Sequence, residues 1–131
     1  QAMAAELINV DEAYFKALHD EFEKRRDVLY EGLKKIDGVV IPKPEGAFYT
    51  IVGLPIDDAE KFCIWLLTDF RDQNETLMLA PAAGFYTSTL LSTGATKGKN
   101  EVRIAYVLNT TAISRCVELL KAALIQYNAR V

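Results

Sequence analysis

The sequence is poor in the residues on which metal sites and many hydrolases depend. Its 131 residues contain one histidine, His19, and two cysteines, Cys63 and Cys116. Because no cysteine or second histidine stands at ligand spacing from His19, the sequence argues against a metal site. The same scarcity argues against Ser-His-Asp or Cys-His catalysis. We therefore expect neither a metal ion nor a catalytic group of these kinds.

Long apolar runs and a strong charge of either sign are also absent. No run approaches the ~20 apolar residues that a membrane-spanning helix requires. The first residues lack the basic start and apolar core of a secretion signal. The formal net charge of -3 argues against a nucleic-acid partner, and Lys24-Arg25-Arg26 is expected to form a solvated helix face. We therefore expect a cytoplasmic protein that binds neither membranes nor nucleic acids.

What is present is the composition of a folded globular domain, with half of the residues hydrophobic and a quarter charged. At this length we expect a single domain over residues 1–131. Each cysteine falls within a helical apolar pattern, which favours buried free thiols, although the sequence leaves a disulfide open. Ala2–Leu7 resembles the tail of a helix without its beginning, which suggests a piece of a longer protein.

The longest helical pattern covers about residues 11–36, where apolar side chains recur at steps of three, four and seven and form one stripe. The stripe consists of Phe15, Leu18, Phe22, Leu29, Leu33 and Ile36. Asn9, followed three residues later by Glu12, resembles a capping pair. Asp37-Gly38 supplies the stop. We therefore expect residues 1–37 to form a linker that consists mainly of one long helix.

The whole pattern predicts the order helix, strand, helix, strand, strand, helix. The second helix is expected to begin at the capping box of Asp57 and Glu60 and to run to about Gln73. Residues 81–100 show no convincing period, so we expect a long loop that closes over something outside this chain. The remaining elements are expected as strands at 47–52, 76–80 (ended by Pro81) and 101–108. A last helix is expected from 109 or 110, because its apolar residues from Ile113 to Tyr127 recur at steps of four and three.

A lone arginine interrupts the last apolar strand. Because side chains alternate along a strand, Arg103 shares one face with Ala105 and Val107. A guanidinium among apolar neighbours needs a partner, and its planar fork fits a carboxylate. The residues alone leave two interpretations open. Arg103 binds the carboxylate of a small acid, or it pairs with a structural carboxylate or extends to solvent.

Three motifs stand in the order and approximate spacing that they have in class I/II aminotransferases. The chain resembles the C-terminal small domain of these fold-type I pyridoxal-phosphate enzymes, in the aspartate aminotransferase-like branch. The resemblance implies an α+β fold in which a small, mostly antiparallel sheet packs against three to four helices. The motifs are Lys43-Pro44-Glu45-Gly46-Ala47-Phe48-Tyr49, Leu79-Ala80-Pro81-Ala82-Ala83-Gly84-Phe85-Tyr86 and Asn100-Glu101-Val102-Arg103-Ile104-Ala105-Tyr106-Val107-Leu108-Asn109.

The resemblance also implies an activity and a set of substrate-binding residues. The family's intact homodimers use pyridoxal phosphate to transfer an amino group between an amino acid and a 2-oxo acid. Arg103 matches the arginine that binds the substrate α-carboxylate. Phe48 matches an aromatic position near the substrate, and Phe85 belongs to a motif near the active-site mouth. The alternatives are a core residue for Phe48 and a packed turn for Phe85.

The chain departs from the family by lacking the large domain. No segment resembles the Ser-x-x-Lys region that carries the cofactor lysine, or the aspartate and arginine that hold the cofactor's ring nitrogen and phosphate. We therefore expect no catalytic or cofactor-binding residue here, a partner in the large domain of the same intact chain, and an inactive fragment. Two alternatives stay open. One is an α+β amino-acid sensing or regulatory module that uses Arg103 without a cofactor, and the other is a structural domain in which Arg103 pairs internally.

Overall fold

A computed structural model describes residues 9–86 and 97–130. Within these residues the elements follow the predicted order of helix, strand, helix, strand, strand, helix. No helix in this part is long and apolar enough to cross a membrane. A short 3-10 turn, Ala83–Phe85, follows the second strand. The elements are α1 (Glu12–Leu33), β1 (Tyr49–Gly53), α2 (Ala59–Thr68), β2 (Ala80–Pro81), β3 (Glu101–Ala105) and α3 (Thr110–Asn128).

The three strands form one antiparallel sheet with β3 in the centre. The register sets Val52 of β1 opposite Val102 of β3, and both side chains are fully buried. The predicted strand at 76–80 is mostly wrong, because β2 comprises only Ala80 and Pro81 and residues 76–79 lie outside it. Pro81 lies within this edge strand, where the missing backbone donor can face away from the sheet, rather than ending the strand as predicted. The sheet beside three helices confirms the predicted α+β class.

One face of the sheet packs against the helices and forms the core. Leu29 and Leu33 of α1 are buried there with residues from α2 and α3, which confirms the inward apolar faces of the helices. Phe15 and Leu18, near the start of α1, are exposed although the pattern assigned them to the apolar stripe. Two N-caps also differ from the prediction. Asp11 rather than Asn9 caps α1, and Asp58 rather than Asp57 caps α2, whereas Asn109 caps α3.

The second helix ends at Thr68, five residues before the predicted end. Arg71 donates hydrogen bonds to carbonyl oxygens of the last helical turn, including Leu67 O at 3.0 Å. The following turn contains Gln73 and Asn74 at positive φ, which no helix accommodates. Arg115 of α3 binds both flanks of this turn through Asp72 and Glu75. A capping arginine and a left-handed turn therefore end α2 early.

Within the predicted 81–100 loop, the described residues are more ordered than an aperiodic stretch indicates. Pro81 belongs to β2, Ala83–Phe85 forms the 3-10 turn, and residues 97–100 form a turn that leads into β3. The prediction for residues 87–96 lies outside the described part of the chain.

Close packing of α1 on α3 depends on Gly32. A Cβ added at Gly32 would lie 2.9 Å from a methyl group of Val117. We predict that Gly32→Val destabilises the chain by about 1–3 kcal/mol, because the β-branched side chain forces the helices apart. Urea unfolding followed by circular dichroism measures this, and adding Val117→Ala should recover part of the loss. An unchanged midpoint for Gly32→Val would contradict the packing argument.

Both cysteines are free and lie on helices, as predicted. Cys63 on α2 is buried, whereas Cys116 on α3 is half-buried rather than buried. Burial raises the pKa of Cys63 to about 11, with a smaller contribution from the charge of Glu60. Because the pKa is raised, the reactive thiolate is scarce at pH 8, on the order of a thousandth of the thiol. We predict that Ellman's reagent modifies Cys63 at pH 8 only after urea unfolds the chain. Rapid modification of native Cys63 would show that the thiol is accessible.

Candidate functional site

Arg103 stands at the middle of β3, on the sheet face that the helices leave uncovered. Its cross-strand neighbours are Ile51 of β1 and Ala80 of β2. Ala105 and Val107, which the sequence grouped with Arg103, are exposed, and so is Arg103 itself. The strand also ends at Ala105 instead of Leu108. Arg103 is therefore not a charge enclosed by apolar neighbours, and burial does not force it to have an internal partner.

Two aromatic rings hold the guanidinium of Arg103. Its Cζ atom lies 4.7 Å from the ring centroid of Phe85 and 5.5 Å from that of Tyr49. Both distances suit a cation–π interaction, which favours one orientation without occupying the N–H donors in the guanidinium plane. Phe85 comes from the 3-10 turn and Tyr49 from the first residue of β1. The donors of Arg103 are thereby left available to a planar acceptor.

No carboxylate of residues 9–86 or 97–130 lies within 4.0 Å of the Arg103 guanidinium. Three other arginines of the same region do form ion pairs, namely Arg25, Arg26 and Arg115. Glu101 lies two residues before Arg103 on the same strand face, but it accepts a hydrogen bond from the Tyr86 hydroxyl. Within the described residues, the internal ion pair that the sequence left open is therefore not formed.

Tyr86 is fixed between the 3-10 turn and the turn before β3. Lys97 Nζ lies 4.6 Å from its ring centroid. Gly98 adopts a φ of +74°, and a Cβ added there would lie 2.5 Å from the Tyr86 ring. The hydrogen bond to Glu101, with burial and the carboxylate charge, raises the pKa of the Tyr86 hydroxyl. This hydroxyl therefore stays protonated at neutral pH and continues to donate to Glu101.

Phe48, the second predicted site residue, is 52% exposed and lies in the turn that leads into β1. Its ring meets Tyr49 edge-on, with 5.5 Å between centroids. The turn includes Ala47 at a φ of 61°, and the Tyr106 hydroxyl donates to Gly46 O and Ala47 O. Phe48 is therefore not a core residue, and it adjoins the site through Tyr49 rather than lying over Arg103.

The structure thus brings Arg103 and Phe85 into contact and places Phe48 beside Tyr49, the other ring that contacts Arg103. Phe85 is 56% exposed, so it is not a residue packed into an internal turn. Sequence reasoning missed Tyr49 as a neighbour of Arg103. It placed Tyr86 in the motif near the active-site mouth but missed the hydrogen bond of Tyr86 to Glu101. The missing signal for Tyr49 was the strand register, since Tyr49 pairs with Ala105 and so lies diagonal to Arg103.

Arg25 and Arg26 correct the prediction of a fully solvated basic face, because both are half-buried. Arg25 binds Glu21 and also donates from Nη1 to Val107 O at 2.6 Å. Arg26 binds Glu23 and Asp27. The Arg25 contact fastens α1 to the segment that follows β3, whereas the Arg26 ion pairs lie within α1.

One group of potential metal ligands occurs on α1, where His19, Asp20 and Glu23 bring one ligand atom each within 4.8 Å of one another. Lys16 binds Asp20, and Arg26 binds Glu23. The cations already neutralise both carboxylates at this surface position. We therefore assign no metal site to this group.

Pyridoxal phosphate does not fit the residues of this chain. A Schiff-base lysine needs an enclosed site with donors for the phosphate group. All nine lysines of the sequence lie in the described part, and every one is exposed. We therefore assign no cofactor contact to these residues.

Comparisons with known proteins identify the family of the chain. A profile of the family described as "Aminotransferase class I and II" matches residues 1–120. The aspartate aminotransferase of Rhizobium meliloti (strain 1021) is 27% identical over 135 residues, covering 94% of this chain and 29% of the relative. An aspartate aminotransferase of Sulfolobus acidocaldarius is 56% identical over 34 residues, covering 26% of this chain and 8% of the relative. The solved aspartate aminotransferase of Thermotoga maritima superposes with a TM-score of 0.69 at 25% identity, covering 93% of this chain and 27% of that chain.

The chain spans less than a third of the length of these relatives. All three are aminotransferases, so they give no support to the alternative of an amino-acid sensing module. The family profile matches more than nine-tenths of the chain, and the sheet and helices superpose on a solved aminotransferase. The chain therefore belongs to the class I and II aminotransferase family.

Proposed function

We propose that this chain is the small C-terminal domain of a pyridoxal-phosphate-dependent aminotransferase. The intact enzyme transfers an amino group between an amino acid and a 2-oxo acid, and Arg103 binds the α-carboxylate that both substrates carry. The proposal rests on the position and the donors of the Arg103 guanidinium. The guanidinium lies over Phe85 and Tyr49, and its donors bind no carboxylate of the described residues.

A carboxylate-binding arginine suits transamination for a geometric reason. Two parallel N–H···O bonds fix both the position and the rotation of a carboxylate. The bond at the substrate α-carbon that must break is then held in one direction, which removes orientational freedom before the reaction. Phe85 and Phe48 would pack against the bound substrate beside Arg103. They limit access of water to the ion pair and thereby strengthen it.

The remaining parts of the active site belong to other portions of the intact enzyme in this proposal. The large domain of the same polypeptide holds the cofactor, which supplies the electron sink for the reaction. The intact enzyme is a homodimer in the cytoplasm. The isolated 131-residue chain is inactive, because its exposed lysines offer no cofactor site.

Transamination by the full-length protein tests the proposal. Purified protein with pyridoxal phosphate is assayed with aspartate, alanine, and aromatic amino acids as donors and 2-oxoglutarate as acceptor. We expect turnover with at least one donor, and aspartate is the first choice because it appears in the names of the relatives. Absence of turnover with every donor would reject the proposal. Turnover by the 131-residue chain alone would contradict the assignment of the cofactor site to the large domain.

A further inference from the structure

Glu101 is a potential competitor for the site of Arg103. The two residues lie on the same face of β3, since side chains two positions apart point the same way. Adjacent same-face positions on a strand lie ~7 Å apart at the backbone, which long glutamate and arginine side chains can span. A Glu101–Arg103 ion pair would occupy the donors that the proposed function assigns to the substrate.

The structure shows why this ion pair does not form. The carboxylate of Glu101 accepts a hydrogen bond from the Tyr86 hydroxyl, and the pair is partly buried. Two backbone hydrogen bonds hold the same residue, from Ala82 N to Glu101 O at 2.8 Å and from Glu101 N to Gly98 O at 3.1 Å. The Tyr86 ring is confined by Gly98 and Lys97. Tyr86 therefore has little freedom to release the carboxylate.

We propose that Tyr86 is a positioning residue that holds the Glu101 carboxylate away from Arg103 and so keeps Arg103 available to a substrate carboxylate. This inference rests on the proposed function of Arg103 and adds a residue that never touches the substrate. It assigns a purpose to the turn before β3, because Gly98 shapes the contact that confines Tyr86.

Tyr86→Phe in the full-length enzyme tests the inference, because phenylalanine keeps the ring and removes only the donor to Glu101. The released carboxylate then competes for Arg103. We expect KM to rise about two- to fivefold for both the amino acid and the 2-oxo acid, as suits a partly exposed ion pair, with kcat within about twofold. Adding Glu101→Gln should return KM to the wild-type value, because the neutral amide cannot form the ion pair.

Tyr127→Phe is the matched control. Tyr127 lies on α3, and its hydroxyl donates to Asp57 at 3.1 Å. Removal of this hydroxyl should leave KM unchanged. A Tyr86→Phe enzyme with wild-type KM, or one whose raised KM persists after Glu101→Gln, overturns the inference. The Arg103→Ala enzyme distinguishes a failure of the inference from a failure of the proposed function. If Arg103→Ala lowers activity but Tyr86→Phe leaves KM unchanged, the inference alone is rejected. If the enzyme is active and Arg103→Ala leaves its activity unchanged, both the proposed function and the inference are rejected.

Discussion

Replacement of Arg103 by alanine in the full-length enzyme is expected to lower kcat/KM by about 30- to 5,000-fold, or about 2–5 kcal/mol of transition-state stabilisation. The loss should be similar for every amino donor, because all donors share the α-carboxylate and differ only in their side chains. Steady-state kinetics with three donors and a common 2-oxo acid measures this. A loss confined to one donor would instead place Arg103 in the side-chain pocket.

The same substitution should have little effect on the stability of the fold. Arg103 is exposed and forms no ion pair with any residue in 9–86 or 97–130, so its removal leaves no partner in that region uncompensated. We expect the thermal midpoint of Arg103→Ala to stay within about 2 °C of wild type, a shift that corresponds to under 1 kcal/mol. A strongly lowered midpoint would favour the alternative of a structural arginine.

Two further variants serve as comparisons in the kinetic experiment on Arg103→Ala. Arg130→Ala removes another arginine whose guanidinium lies over a ring, 5.1 Å from the centroid of Trp65, and it should leave kcat/KM unchanged. Arg103→Lys keeps the charge but loses the planar fork. It should recover only part of the lost activity, because a point charge does not fix the rotation of a carboxylate. Full activity in Arg103→Lys would mean that charge alone suffices.

The elements of this fold were predictable because local patterns determine them. The steps of three and four in the last helix identified its inward face, and Asn109 capped it where its side chain reaches the backbone of Ala112. The end of α2 was only partly predictable. Arg71 caps the last helical turn locally, but the turn that follows is also held by Arg115, forty residues beyond Glu75 in the chain. The start of α3 follows from its neighbouring residues, whereas the turn that ends α2 depends on a tertiary contact as well as on local residues.

The candidate site was only partly predictable for a similar reason. Arg103 stood out because it interrupts an apolar run, and Phe85 followed from the resemblance. The exposure of the Arg103 face depends on which side of the sheet the helices cover, and strand alternation alone does not determine that side. The Tyr86–Glu101 hydrogen bond joins residues that are fifteen positions apart in the chain. Its prediction would have required knowledge of how the strands pair. Nothing in the local sequence of Tyr86 indicates an acceptor.

The largest loss of stability is expected from Phe62→Ala. The Phe62 side chain is 0% exposed and packs against two aromatic rings, Tyr127 edge-on at 5.0 Å and Trp65 stacked at 6.0 Å. Truncation removes the buried ring and leaves a cavity, which costs about 3–5 kcal/mol for a fully buried phenylalanine. A domain of this size is stabilised by only about 5–15 kcal/mol, so a substantial part of the total is lost. Urea unfolding followed by circular dichroism should show a large decrease of the midpoint.

Ile64→Ala on the same helix provides the control, because Ile64 is 63% exposed and points away from the core. Its truncation should change the free energy of unfolding by no more than about 0.5 kcal/mol. The contrast isolates burial, since both variants place alanine in the middle of α2 and alanine favours the helix at either position. Equal losses for the two variants would mean that another surface covers Ile64. Such a result would place α2 at an interface, because burial by a partner is the remaining way for an exposed isoleucine to contribute several kcal/mol.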